Sequence, residues 1–144
     1  MKTFLLLMSI AVAVCGFSQK ITITVSAQGK SVSASPDDEN NDKVLVLQRS
    51  AAAAAAHLVA KVNKEEISAG WKRTFVVYDN EDKEIITLDS MKTNCYGVPL
   101  QALLPVLQQP KQYALYTIVL PEDPQKAMEV RIARQLVCKI QVTD

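Results

Sequence analysis

The sequence predicts an α+β domain built on a mainly antiparallel sheet with two helices. Three observations carry that expectation. Several short runs alternate apolar and polar residues at a period of two, the pattern of half-buried strands. Two blocks, one rich in alanine and one in leucine, repeat at helical spacing instead. Strands and helices follow no regular alternation, so nothing demands a parallel sheet. An Ig-like β-sandwich with helical crossovers is the alternative architecture.

Residues 1–18 stand apart from this pattern. Met1-Lys2-Thr3 precedes an apolar run from Phe4 to Cys15, then Gly16-Phe17-Ser18. A basic start, a short apolar stretch and a small-x-small exit make a secretory signal peptide. The apolar run is shorter than the ~20 residues of a membrane-spanning helix. Gly16 and Ser18 favour cleavage after Ser18, which leaves 19–144 as a single domain. Cys15 offers a second reading as a lipidated cysteine, but Val14 is larger than the residue such sites place before it. The protein is therefore expected outside the cytoplasm, periplasmic or extracellular, with no transmembrane segment after cleavage.

The mature elements follow in order. Lys20 to Ala27 alternates strictly and reads as a strand; Gly29 supplies a turn, and Ser31 to Ser35 returns as a second strand. Pro36 to Asp42 is an acidic loop. Over Lys43 to Lys61, Leu47, Ala51, Ala54, Leu58 and Val62 form one helical stripe around six consecutive alanines, with Asp42 as a cap. Val44 to Leu47 also fits a strand that leads into a shorter helix. Trp71 to Tyr78 and Glu84 to Leu88 flank a polar turn and predict a hairpin. Asn94 to Val98 reads as a loop. Pro99 opens a short helix carrying Leu100, Leu103, Leu104 and Leu107, with Pro105 shortening it. Gln112 to Leu120, Met128 to Ile132 and Gln135 to Val142 close the chain as strands.

Charge excludes several functions. The chain has 16 Lys+Arg and 15 Asp+Glu, and the leader removes only Lys2. A neutral, interspersed surface gives no electrostatic case for binding nucleic acid. With glycine only at positions 16, 29, 70 and 97, no phosphate-cradling loop exists. No C-x-x-C occurs. Cys95 and Cys138 remain after cleavage, and an even pair in an exported chain is first read as a disulfide. The other reading is two separate buried thiols, because Leu136, Cys138, Ile140 and Val142 share one strand face.

No catalytic set, metal site or cofactor site emerges. His57 is the only histidine and has no partners for a triad or a zinc site. Asp38, Asn40 and Asp42 match the first three ligands of a calcium loop. Lys43 then takes its glycine position and Arg49 its last ligand position. Asp79, Glu81 and Lys83 fail at the third ligand. Candidate interface residues are Trp71, Arg73, Tyr113 and Tyr116, since aromatics and arginine anchor many interfaces. Trp71 is expected in the core. Tyr113 and Tyr116 fall on opposite faces of one strand, so one of them faces outward. The alanine run is a further candidate, its smooth face open to a second helix.

From Pro99 onward, a short leucine helix, the strand Gln112 to Leu120, a proline-containing turn, Val130-Arg131-Ile132 and the strand Leu136 to Val142 succeed one another. This last third resembles the C-terminal β-rich periplasmic modules of the gliding-motility and type IX secretion protein GldM. The resemblance implies an envelope interaction domain and carries over no functional residue. The expected function is a non-catalytic module that binds a protein of the cell envelope. A binding module for a small apolar ligand is the alternative, and a hydrolase ranks last.

Overall fold

Side-chain alternation sorts the described residues into two five-stranded sheets that face each other across one core. The computed structural model describes residues 21–36, 38, 41–49, 56–107, 112–130 and 133–143. Residues 1–20, with the leader and Cys15, lie outside that set, as do Ala51 to Ala55.

The strands are β1 (Ile23–Ala27), β2 (Lys30–Ala34), β3 (Val44–Gln48), β4 (His57–Val62), β5 (Trp71–Asp79), β6 (Glu84–Thr87), β7 (Asp89–Lys92), β8 (Cys95–Pro99), β9 (Tyr113–Pro121) and β10 (Arg134–Thr143). Helix α1 (Leu100–Leu103) runs into a 3-10 turn over Leu104–Val106, and α2 (Pro124–Glu129) joins β9 to β10. The first sheet has the order β2-β1-β4-β8-β7, the second β3-β10-β9-β5-β6. Every pairing is antiparallel except β3 with β10. Among the described residues the fold is thus α+β and strongly β-rich, with two short helices, and its two sheets are arranged as a sandwich.

Local chemistry explains the edges of these elements. β1 and β2 meet through Gln28 and Gly29, both at positive φ (55° and 76°), the geometry of a tight two-residue hairpin. The Gln28 side-chain amide then pairs with the backbone N–H and C=O of Gln48, both at 2.8 Å, which ties the hairpin to β3 in the other sheet. Asp79 shapes the β5–β6 turn by accepting from the N–H groups of Glu81 and Lys83. In the core, Ile23, Val25, Leu58 and Ala60 of the first sheet meet Leu45, Phe75, Val77, Leu115 and Ile140 of the second. Each large side chain buried there contributes roughly 1.5–3 kcal/mol. The Phe75 and Tyr96 rings touch across the gap with centroids 5.0 Å apart.

Four expectations are corrected. The helix over Lys43 to Lys61 is absent from its described parts: Val44–Gln48 is a strand, as the alternative reading of Val44 to Leu47 has it, and His57–Val62 is a strand as well. Leu45 and Leu47, then Leu58, Ala60 and Val62, are buried at a period of two, so in these two segments sheet pairing overrides the helical stripe. Asn94 to Val98 is no loop, because Cys95 to Pro99 forms β8, where Gly97 lies under Met91. Met128 and Glu129 end α2 rather than open a strand; Asp123 caps that helix by accepting from the Gln125 N–H, and Pro124 fills its first turn. The fourth correction concerns β10. Its register breaks between Leu136 and Cys138, so Leu136 sits opposite Tyr116 while Cys138 sits opposite Leu115. Leu136 therefore leaves the face it was expected to share with Cys138, Ile140 and Val142. Asn41 fastens this bulge, donating from Nδ2 to the carbonyls of Leu136 (3.2 Å) and Val137 (2.6 Å).

Candidate functional site

The bulge in β10 decides what the outer face of the second sheet presents. Arg73, Phe75 and Val77 of β5 point inward with Leu115 and Thr117 of β9. Thr74, Val76, Tyr78, Tyr116, Ile118 and Leu120 consequently point outward. Arg134, paired with Ile118, joins that outer set only because the register shifts beyond Leu136.

The Tyr78 and Tyr116 rings meet edge to face, with centroids 5.4 Å apart. The Arg134 guanidinium lies over both, 4.5 Å from the Tyr78 centroid and 4.4 Å from that of Tyr116. Its far end bonds Asp82 at 2.5 Å, in the β5–β6 turn. Arg134 thus crosses from β10 over β9 to the end of β5 as a strap. The bond to Asp82 raises its pKa above the ordinary arginine value, which burial partly opposes.

Beside the strap runs an open groove of about 380 Å³. Val76, Ile118 and Leu120 supply apolar lining, Thr74, Thr87 and Glu84 polar groups, and Tyr78 and Arg134 close one end. The groove exists because β6 is only four residues long: after Thr87 the chain turns inward at buried Leu88 and crosses to the other sheet.

The residues singled out in the sequence do not converge. Tyr116 lies in the outer cluster, whereas Tyr113 is buried in the core, so the two separate as their strand parity requires. Trp71 is 37% exposed at the start of β5, contrary to its expected core position, at the stretch of that strand which β9 flanks and the β6 pairing, ending at Val76, does not reach. Arg73 is buried, and it serves structure. Its Nε donates to Glu65 Oε1 (2.9 Å) and Oε2 (3.2 Å), and a terminal nitrogen donates to Thr117 Oγ1 (2.8 Å). This pair draws the 63–70 connection down onto the second sheet. Tyr96, near the pair, has its pKa raised by burial first and by the Glu65 charge second, with Arg73 opposing.

Cys95 and Cys138 are not bonded. Cys138 faces the core from the second sheet. Cys95 pairs with Lys61, whose neighbours Ala60 and Val62 point inward, so its thiol lies on the outer face of the first sheet. The two sulfurs are thus turned to different layers, and the expected disulfide does not form. Burial pushes the Cys138 thiol up to about 12. His57 is exposed at the start of β4 and not on a helix. The alanine run lies outside the described residues except for Ala56. Among the described residues no group of His, Cys, Asp and Glu could hold a metal ion. Nor is any described helix long and apolar enough to cross a membrane.

Tyr78, Asp82 and Arg134 escaped the sequence reading. Tyr78 carries a usable signal, since an antiparallel pairing of its strand with that of Tyr116 can bring the two together. Arg134 carries none, because its face depends on the bulge. The class defined by fold and surface is a two-sheet β-rich domain with an aromatic, arginine-strapped groove on one outer face. In comparison with known proteins, no protein-family model matches the chain, and no curated protein matches it significantly.

Proposed function

We propose that this chain is an exported, non-catalytic interaction module of the cell envelope that binds a partner protein through the outer face of its second sheet. The observation that carries the reading is the Tyr78–Tyr116–Arg134 cluster beside an apolar groove. Tyrosine and arginine are enriched among residues that dominate binding energy, and they act best beside pockets that a partner side chain can fill. Here they are already ordered by stacking and by Asp82, so a partner has little conformational entropy to remove. The leader-like residues 1–18 support export. The likeness of the last third to GldM periplasmic modules supports an envelope setting.

A small apolar ligand is less well served. Sites for such ligands bury most of the ligand surface, whereas this groove lies open on a sheet face. Affinity capture of the tagged chain from cells, followed by mass spectrometry, tests the proposal. One dominant envelope protein is expected, retained by the Lys61→Ala variant and lost with Tyr116→Ala. Recovery that ignores the Tyr116 change, or no partner at all, would overturn the reading.

A further inference from the structure

The edge of the first sheet is held in an unusual way. All four residues of β7 are exposed, and among the described residues the strand pairs with β8 alone. Its register breaks between Ser90 and Lys92, which leaves Met91 as the extra residue of a bulge. Met91 is the only apolar side chain in the strand, and its Sδ occupies the place where a Cβ on Gly97 would sit. The residue is nevertheless 51% exposed. Besides the backbone pairing, one thioether therefore packs the edge strand onto its neighbour while standing half open to solvent.

What that strand flanks gives the contact a consequence. Cys95 is paired on one side with Lys61 of β4 and on the other with Lys92 of β7. It lies on the outer face of the sheet, yet is only 4% exposed. β4 sits inside the sheet, between β1 and β8, so β7 is the flank that can leave.

We propose that Met91 is an oxidation site that controls access to the Cys95 thiol. A hydroperoxide is the oxidant. The sulfur lone pair attacks the terminal peroxide oxygen, an S–O bond forms, the O–O bond breaks, and water or an alcohol leaves after proton transfer. Sulfur is oxidised to the sulfoxide and the peroxide is reduced. The sulfoxide is polar, and the place above Gly97 where the thioether sits also borders the Leu58 carbonyl oxygen, 3.1 Å from the Cβ position, which offers no donor to a sulfoxide oxygen. The side chain then turns to water, β7 loses its apolar contact, and the edge opens locally while the core stays closed. Met128 provides an internal contrast. It is 87% exposed on a helix with no buried residue, so its oxidation disturbs nothing.

The test treats the full chain with hydrogen peroxide, removes the oxidant, labels with iodoacetamide, and counts modification of each cysteine and methionine by peptide mass. Cys95 modification in the Met91-sulfoxide protein is expected to rise about tenfold, equivalent to about 1.4 kcal/mol less for opening the edge. Met91→Gln, a polar substitute that needs no oxidant, is expected to raise Cys95 labelling without peroxide. Met91→Leu is expected to abolish the peroxide response, and Met128→Leu to preserve it. Cys138 reports on global unfolding and is expected to remain unlabelled throughout. Unchanged Cys95 labelling in both the oxidised protein and Met91→Gln would overturn the proposal. So would a full response in Met91→Leu, or labelling of Cys138 at the same rate as Cys95.

Discussion

Removing Glu65 has a larger expected cost than removing the arginine it binds, and the difference follows from where the two charges sit. The Arg73 side chain is almost fully buried between the sheets, while that of Glu65 retains contact with water. Glu65→Ala leaves the guanidinium inside with Thr117 as its remaining hydrogen-bond partner. Stranding one member of a buried pair costs about 3–5 kcal/mol. Water can approach from the Glu65 side, which brings the expectation to about 2–3 kcal/mol. For a domain of this size that is a fall in Tm of roughly 10 °C. Arg73→Met keeps the apolar stem and strands only a carboxylate that can turn outward, so about 1 kcal/mol is expected. The double variant is expected to be more stable than Glu65→Ala alone, because the stranded charge is gone. Urea unfolding followed by far-UV circular dichroism measures all four proteins. Equal costs for the two single changes, simply adding in the double, would refute the assignment of Arg73 and Glu65 as a coupled pair.

Three further outcomes are expected. Burial raises the Cys138 pKa to about 12, so the folded chain keeps a proton that the unfolded thiol loses near pH 8.5. That contribution is complete below about pH 8.5 and disappears as pH rises toward 12, by about 1.4 kcal/mol per pH unit; urea titrations are expected to show a flatter alkaline decline for Cys138→Ala, and equal slopes would contradict the burial argument. Gly97→Ala displaces the movable Met91 side chain and crowds the fixed Leu58 carbonyl, for an expected loss of about 1 kcal/mol, part of which Met91→Ala should restore in the same denaturation assay. Arg134→Ala is expected to cost under about 1 kcal/mol, because Asp82 is 72% exposed and exposed pairs contribute little, while partner capture is lost.

The sequence reveals those parts of the fold whose local pattern and final burial agree. β1 with β2, and β5 with β6, are legible because alternation and turn residues point the same way. The leucine helix is legible as well, shortened near Pro105 as expected. β3 is legible only as one of two readings and β4 is not, because Leu47, Leu58 and Val62 satisfy a helical stripe and a strand alternation at once, and six alanines weight the choice toward helix. β7 has no apolar pattern, since it is an edge strand with one methionine. The site divides in the same way. Strand parity separates Tyr113 from Tyr116, and the structure puts Tyr116 outside. Arg134 lies 52 positions from Asp82 in sequence, and its face depends on a one-residue bulge fastened by Asn41, so no local signal announces it.

The outer face of the second sheet is proposed as the place where this protein meets its partner. Site-specific photocrosslinking in living cells tests it most directly, with the crosslinking residue placed at Thr87 or Leu120 in the groove and at Lys61 on the opposite outer face. One dominant adduct is expected from each groove position, absent when Arg134→Ala is added, and none from Lys61. An adduct of equal strength from Lys61, or none from the groove, would contradict it.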